Sequence, residues 1–119
     1  MVTLLYILNA TLLVLHELES AYEKEWEILK LPGRITGFLL LHVPLLILLF
    51  YGLLEIENNS KVGMTFGIIF GVGGIIPFIV HKLVFKTADR FNSLISSVII
   101  YFNIVSGTGL LLLSAKGFA

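Results

Sequence analysis

The residues of this chain best suited to chemistry are its three histidines, which lie far apart in the sequence. His16, His42 and His81 fall on separate predicted helices, and each lies in the half of its helix that borders the same side of the membrane. An ionisable side chain within an apolar helix is costly to bury, so it marks a candidate functional site. The agreement in depth predicts that three helices bring their imidazoles together in one half of a bundle.

Carboxylates accompany the first histidine along its helix. His16 and Glu19 are three residues apart, and residues at this spacing lie on one helix face. Imidazole and carboxylate groups suit zinc, iron or manganese, and paired Glu and His residues on bundle helices hold di-metal centres. The predicted site comprises four metal ligands and one catalytic base: His16, Glu19, His42 and His81 as ligands, and Glu23 as the base.

Other interpretations of these histidines stay open at the sequence level. A histidine in a membrane helix often forms only a hydrogen bond to a neighbouring helix. Without a metal, the same cluster could relay protons or bind a polar headgroup. The prolines Pro44 and Pro77, close to His42 and His81, each remove a helical hydrogen bond and can bend the helix axis.

The elements that must position these residues are four apolar segments. The chain has 119 residues, of which 57% are hydrophobic and only 13% charged, and a soluble chain of this length could not bury so much apolar surface. A membrane-spanning helix needs about 20 mostly apolar residues. We therefore predict an all-α, integral membrane four-helix bundle that forms a single domain over residues 1–119. The predicted helices cover about residues 2–22, 35–54, 62–85 and 91–113.

The overall charge excludes several classes of function. Eight basic and eight acidic residues cancel, so no basic field indicates a nucleic-acid partner. The chain has no cysteine, which excludes disulfides, thiolate metal sites and cysteine nucleophiles. The expected partners are membrane lipids, together with a homo-oligomer or a larger membrane complex.

The distribution of Lys and Arg predicts an orientation. Six basic residues border the first and third loops: Lys24, Lys30, Arg34, Lys82, Lys86 and Arg90. Only Lys61 and Lys116 border the other side. By the positive-inside rule, the first and third loops lie in the cytoplasm and both termini lie outside it.

Two polar or small-residue features predict how the helices pack. Gly63, Gly67 and Gly71 recur every four residues, a row that lets two helix backbones approach closely, either within the chain or in a homodimer. Asn103 lies near the middle of the fourth helix, where an interhelical hydrogen bond is its expected role.

Three stretches of the chain together resemble known membrane families. The run from His16 to Trp26, followed by Leu31-Pro32-Gly33 and by His42-Val43-Pro44, resembles small bacterial four-helix membrane proteins with a His-Glu-x-(Asp/Glu) signature. It is also similar to the HXXEE-type membrane family, with Ser20 at the position of that motif's second Glu. The resemblance covers about residues 4–54 and implies a location in the bacterial inner membrane, but it implies no activity.

Three functions from different classes follow from these observations. The first is a metal-dependent membrane enzyme that acts on a lipid or another apolar substrate. The second is a haem or quinone electron carrier with histidine ligands, although carboxylates beside the histidines fit a haem poorly. The third is an accessory or binding subunit, or a small transporter, in which the cluster is structural or relays protons.

Overall fold

The structure, a computed structural model, describes residues 1–84 and 93–118. The helices are α1 (Val2–Tyr22), the short α2 (Glu25–Ile28), α3 (Arg34–Glu57), α4 (Lys61–Phe78) and α5 (Leu94–Gly117). A π-helical segment, Ile79–Val84, continues α4. The predicted helix ends at residues 85 and 91, and the basic residues Lys86 and Arg90, lie outside the described residues.

The prediction of an all-α membrane bundle is confirmed. Within the described residues there are no strands, and α1, α3, α4 with its π-helical continuation, and α5 are each long and apolar enough to cross a membrane. The contacts between the long helices show that neighbouring helices run in opposite directions. The start of α1 lies beside the second half of α3, where the Tyr6 hydroxyl donates to the Leu49 carbonyl at 2.7 Å.

The glycine row of α4 packs within the chain. A Cβ atom added to Gly71 would lie 2.8 Å from the backbone nitrogen of Leu111 and 2.9 Å from the carbonyl oxygen of Gly107. A Cβ on Gly63 would similarly meet the backbone of Glu55 at 2.4 Å, at the end of α3. The missing side chains therefore let α4 approach both α3 and α5, which is the packing that small residues give membrane helices.

A polar cluster joins α1, α4 and α5 near the middle of the bundle. The Asn9 amide nitrogen donates to the Phe70 carbonyl at 2.8 Å, and its oxygen accepts from Asn103 at 2.8 Å and from Ser106 at 3.0 Å. Asn9 and Asn103 are completely buried. Asn103 thus makes the interhelical hydrogen bond expected from its sequence position, and the cluster fixes the rotation of α1 against α4 and α5.

The chain departs from regular α-helix at two points close to His16 and His81. After α1, Lys24 adopts a left-handed conformation with φ 54°, which turns the chain sharply into α2. In α4, Pro77 lacks the N–H that would pair with the carbonyl of Gly73, and the π-helical turn follows it. Single π-helical turns occur often at functional sites, because they change which side chains face inward.

Candidate metal site

Two histidines and one carboxylate meet at the end of the bundle where α1 finishes. The His81 Nε2 atom lies 2.8 Å from Glu25 Oε1, and His16 Nε2 lies 4.0 Å from Glu25 Oε2. The two imidazole rings contact each other edge to face, with centroids 5.0 Å apart. One ligand atom from each of the three side chains lies within 4.8 Å of the others, so the group could hold a metal ion.

The site is shielded from solvent. His16 is 3% exposed, Glu25 7% and His81 1%. Burial raises the pKa of Glu25, but hydrogen bonds from His81 and Ser20 and the neighbouring imidazole of His16 outweigh it, so the pKa lies below its ordinary value. Glu25 is therefore an anion at neutral pH, and a buried anion requires compensation by hydrogen bonds, a cation or a metal.

The local backbone explains how three distant residues converge. The left-handed turn at Lys24 points the chain back towards α1, so Glu25 lies beneath His16 and within hydrogen-bonding distance of Ser20. Ser20 is completely buried, and its Oγ donates to Glu25 Oε2. The π-helical turn after Pro77 carries His81, which lies against the other oxygen of the same carboxylate.

The separations suit a small divalent ion. Zinc binds histidine nitrogen and carboxylate oxygen at about 2.0–2.2 Å, so tetrahedral ligand atoms lie roughly 3.3 Å apart. The observed distances of 2.8 Å and 4.0 Å fall on either side of that separation. Small rotations of the three side chains would place their ligand atoms around one ion, and three protein ligands leave a fourth position for water or substrate.

The third histidine belongs to a neighbouring pair. His42 Nε2 lies 2.7 Å from Glu17 Oε2, and His42 Nδ1 lies 2.7 Å from the Phe38 carbonyl oxygen. Because that carbonyl only accepts, Nδ1 carries a proton. The other ring nitrogen, Nε2, faces the Glu17 carboxyl group at hydrogen-bonding distance.

The structure brings together some of the residues predicted as ligands and not others. His16 and His81 share the trio with Glu25, whereas Glu19 is half-buried and His42 pairs with Glu17; among the described residues, neither Glu19 nor His42 joins the group that could hold a metal. Glu23, predicted as the base, is half-buried at the end of α1, where its N–H donates to the Glu19 carbonyl at 2.8 Å. Its catalytic role stays a prediction.

Glu25 is the residue that the sequence argument missed. Helical spacing from His16 selects Glu19 within α1 and Glu23 directly after its end at Tyr22, whereas Glu25 lies beyond the left-handed turn at Lys24. No helix-face pattern can select a residue beyond a chain reversal. Trp26 indicates a segment at the membrane interface, but it stands between Glu25 and Glu27, so the sequence does not single out Glu25.

A cavity of about 700 Å³ adjoins the trio between α1, α3 and α4. His16 and Glu25 line one end of it, together with Glu17 and His42. Its remaining walls are almost entirely apolar, with Leu, Ile, Val and Phe side chains from the three long helices. Two of the three candidate metal ligands therefore open onto an apolar space.

The chain belongs to a protein family of unknown function, DUF6713, which matches residues 2–117. No curated protein and no solved structure is significantly similar to it. None of these matches supports membership of the HXXEE-type family, so that resemblance stays a prediction.

Proposed function

We propose that the protein is a metal-dependent membrane enzyme that acts on a lipid or another apolar substrate. The observation that carries this proposal is the buried trio of His16, Glu25 and His81, which opens onto an apolar cavity. Two imidazoles and one carboxylate with an open fourth position are a ligand set of catalytic zinc sites. Iron and manganese accept the same groups, and metal analysis identifies the ion.

The chemistry that fits this ligand set is hydrolysis of an acyl bond. An ion held by His16, Glu25 and His81 with an open position would lower the pKa of a bound water and polarise a carbonyl oxygen. Hydrolysis of an ester consumes one water and gives a carboxylic acid and an alcohol, so one water proton must be carried to the leaving alcohol oxygen. Glu17 and His42 line the same cavity, and His42 Nε2 lies 2.7 Å from Glu17 Oε2, so the pair is placed to carry that proton.

The position of Glu25 favours a metal ion over a haem. Its carboxylate oxygens lie at 2.8 Å from one imidazole and 4.0 Å from the other. A haem bound by His16 and His81 would need its porphyrin plane in the space that this carboxylate occupies.

Elemental analysis of protein purified in detergent without chelators tests the proposal. We expect about one zinc, iron or manganese ion per chain in the wild type, and its loss in Glu25→Gln, which keeps the side-chain shape but removes the charge. The matched controls are Glu19→Gln and His42→Ala, which alter residues outside the trio and should retain the metal.

The controls also separate the site in the structure from the one predicted by helical spacing. Loss of metal in Glu19→Gln together with retention in Glu25→Gln would overturn the assignment of Glu25. A wild-type protein that binds no metal even after supplementation would overturn the enzyme proposal. The direct 2.8 Å contact of His81 with Glu25 would then favour the proton-relaying accessory subunit or transporter.

We also propose that the site lies on the cytoplasmic side of the membrane, as the distribution of basic residues predicts, and that this membrane is the bacterial inner membrane, as the family resemblance implies. The chain has no cysteine, so single-cysteine variants report orientation without background. Lys30→Cys should react with an impermeant maleimide only from the cytoplasmic side, and Lys61→Cys only from the outside. Both positions are exposed, and the reversed pattern would contradict the orientation.

A further inference from the structure

The cavity beside the trio has the length of one bilayer leaflet. Its wall on α3 runs from Phe38 to Leu49, and its wall on α4 runs from Ile68 to Val80. At 1.5 Å per residue these walls are about 16–18 Å long. That length is about half of the roughly 30 Å hydrocarbon core of a bilayer. A hydrocarbon chain that starts at the polar end would reach the middle of the membrane.

The volume of the cavity suits one chain with a small polar head. Its 700 Å³ lies within the range of about 300–1,000 Å³ that is usual for small-molecule sites. Because the apolar walls continue from the polar end without a charged interruption, one end of a ligand must be polar and the rest apolar. These are the properties of an amphiphile.

The groups at the polar end select the kind of headgroup. Glu17 and Glu25 contribute carboxylates there, and none of the described residues that line the cavity is Lys or Arg. A divalent ion in the trio would be balanced by the two carboxylates, and no lysine or arginine among the described lining residues adds the positive charge that a phosphate would require. A hydroxyl group can donate to Glu17, and an ester carbonyl can bind a metal in the trio, so the charge favours an uncharged head.

Gly73 provides space in the cavity wall that helix packing does not require. A Cβ atom on Gly63, Gly67, Gly71 or Gly74 would lie within 2.8 Å of another helix. A Cβ on Gly73 would meet only Leu13 Cδ1 at 3.7 Å, an ordinary van der Waals contact. The absent side chain at Gly73 therefore enlarges the cavity rather than tightening a helix contact.

We propose that this cavity binds the hydrocarbon chain of a single-chain, uncharged amphiphile, an acylglycerol-like ester, with its head between the Glu17–His42 pair and the trio. The proposal rests on the proposed function, because it names the substrate class of the same site. The hydrocarbon chain of the ligand moves from the lipid into an equally apolar cavity, so its burial contributes little net binding free energy in a bilayer. Selectivity therefore comes from the headgroup and from the shape of the walls.

Photolabelling in phosphatidylcholine nanodiscs tests this binding mode. The probe is a monoacylglycerol with a diazirine in its acyl chain, and labelled residues are mapped by peptide mass spectrometry. We expect labelling on the cavity walls within residues 38–49 and 68–80. Unlabelled monoacylglycerol should compete with the probe, and lysophosphatidylcholine of equal chain length should compete much less.

A variant that fills part of the cavity tests whether the labelling depends on the cavity. Gly73→Leu should reduce wall labelling by about tenfold, because its side chain would occupy space in the cavity that the hydrocarbon chain needs. The control is Ala115→Leu, the same kind of enlargement at an exposed position of α5 outside the cavity. Metal content should be normal in both variants, which also shows that the trio has folded.

Failure of this inference is distinguishable from failure of the proposed function. Labelling spread evenly over lipid-facing residues, equal competition by lysophosphatidylcholine, or unchanged labelling in a metal-replete Gly73→Leu variant would each overturn the inference and leave the metal site standing. Specific wall labelling in a wild type that binds no metal would support the binding mode and overturn the metal-dependent enzyme.

Discussion

The contact between Ser20 and Glu25 gives a quantitative prediction for metal affinity. Ser20→Ala removes a hydroxyl that is completely buried, so water cannot replace its hydrogen bond to Glu25. A hydrogen bond to a charged group contributes about 1.5–3 kcal/mol. Loss of an outer partner typically weakens metal binding by about 10–100-fold. Because the same hydrogen bond exists before the metal binds, we expect the lower end, about tenfold weaker affinity.

The assay is a competition titration of zinc against a chromophoric chelator in detergent. Ser114→Ala is the matched control, since Ser114 is also completely buried but packs against Gly67 in another part of the bundle. The control should bind zinc as the wild type does. If Ser20→Ala binds zinc as tightly as both, the reasoning that Ser20 holds a metal-binding carboxylate in place is refuted.

Three further predictions concern stability, each measured by thermal unfolding in detergent micelles with circular dichroism. Gly71→Ala should destabilise the bundle by about 1–3 kcal/mol, because its Cβ would meet the α5 backbone at 2.8 Å, while Gly73→Ala should have little effect. Asn9→Leu should cost about 1–2 kcal/mol, because it removes the side-chain oxygen that accepts from Asn103 and Ser106 and leaves the buried Asn103 amide only its 3.4 Å bond to the backbone oxygen of residue 9. Removing the metal with a chelator should lower the unfolding temperature of the wild type. The expected loss of unfolding free energy is about 2.7 kcal/mol if the free metal concentration was a hundred times Kd. Glu25→Gln should unfold at the same temperature with and without chelator.

The fold was predictable because lipid imposes simple rules on sequence. Continuous apolar runs of spanning length can only be helices in a bilayer, since each helix satisfies its own backbone hydrogen bonds. The four-residue spacing of Gly63, Gly67 and Gly71 allowed close helix contact to be predicted, and the row packs within the chain. The position of Asn103 near the middle of its helix allowed its interhelical hydrogen bond to be predicted. The depth of a residue along a membrane helix can be estimated from hydropathy. That estimate predicted that His16 and His81 lie in the same half of the bundle.

The rotation of each helix and the path of the short connection were not predictable in the same way. His16 and Glu17 are adjacent, yet their side chains diverge by about 100° around α1, so one meets His81 and the other meets His42. Sequence spacing alone does not say which neighbour each direction will face. Glu25 required the left-handed turn at Lys24, and a non-glycine residue with positive φ is uncommon enough that no pattern favours it.

X-ray absorption at the metal edge of the purified protein tests the central claim most directly, because it reports the ligands themselves. We predict two imidazole nitrogens from His16 and His81 and oxygen ligands from Glu25 and water, at about 2.0–2.2 Å for zinc. In Glu25→Gln, any residual metal should lose one oxygen ligand, whereas His42→Ala should leave the spectrum unchanged. A spectrum with three imidazoles that falls to two in His42→Ala would contradict this site.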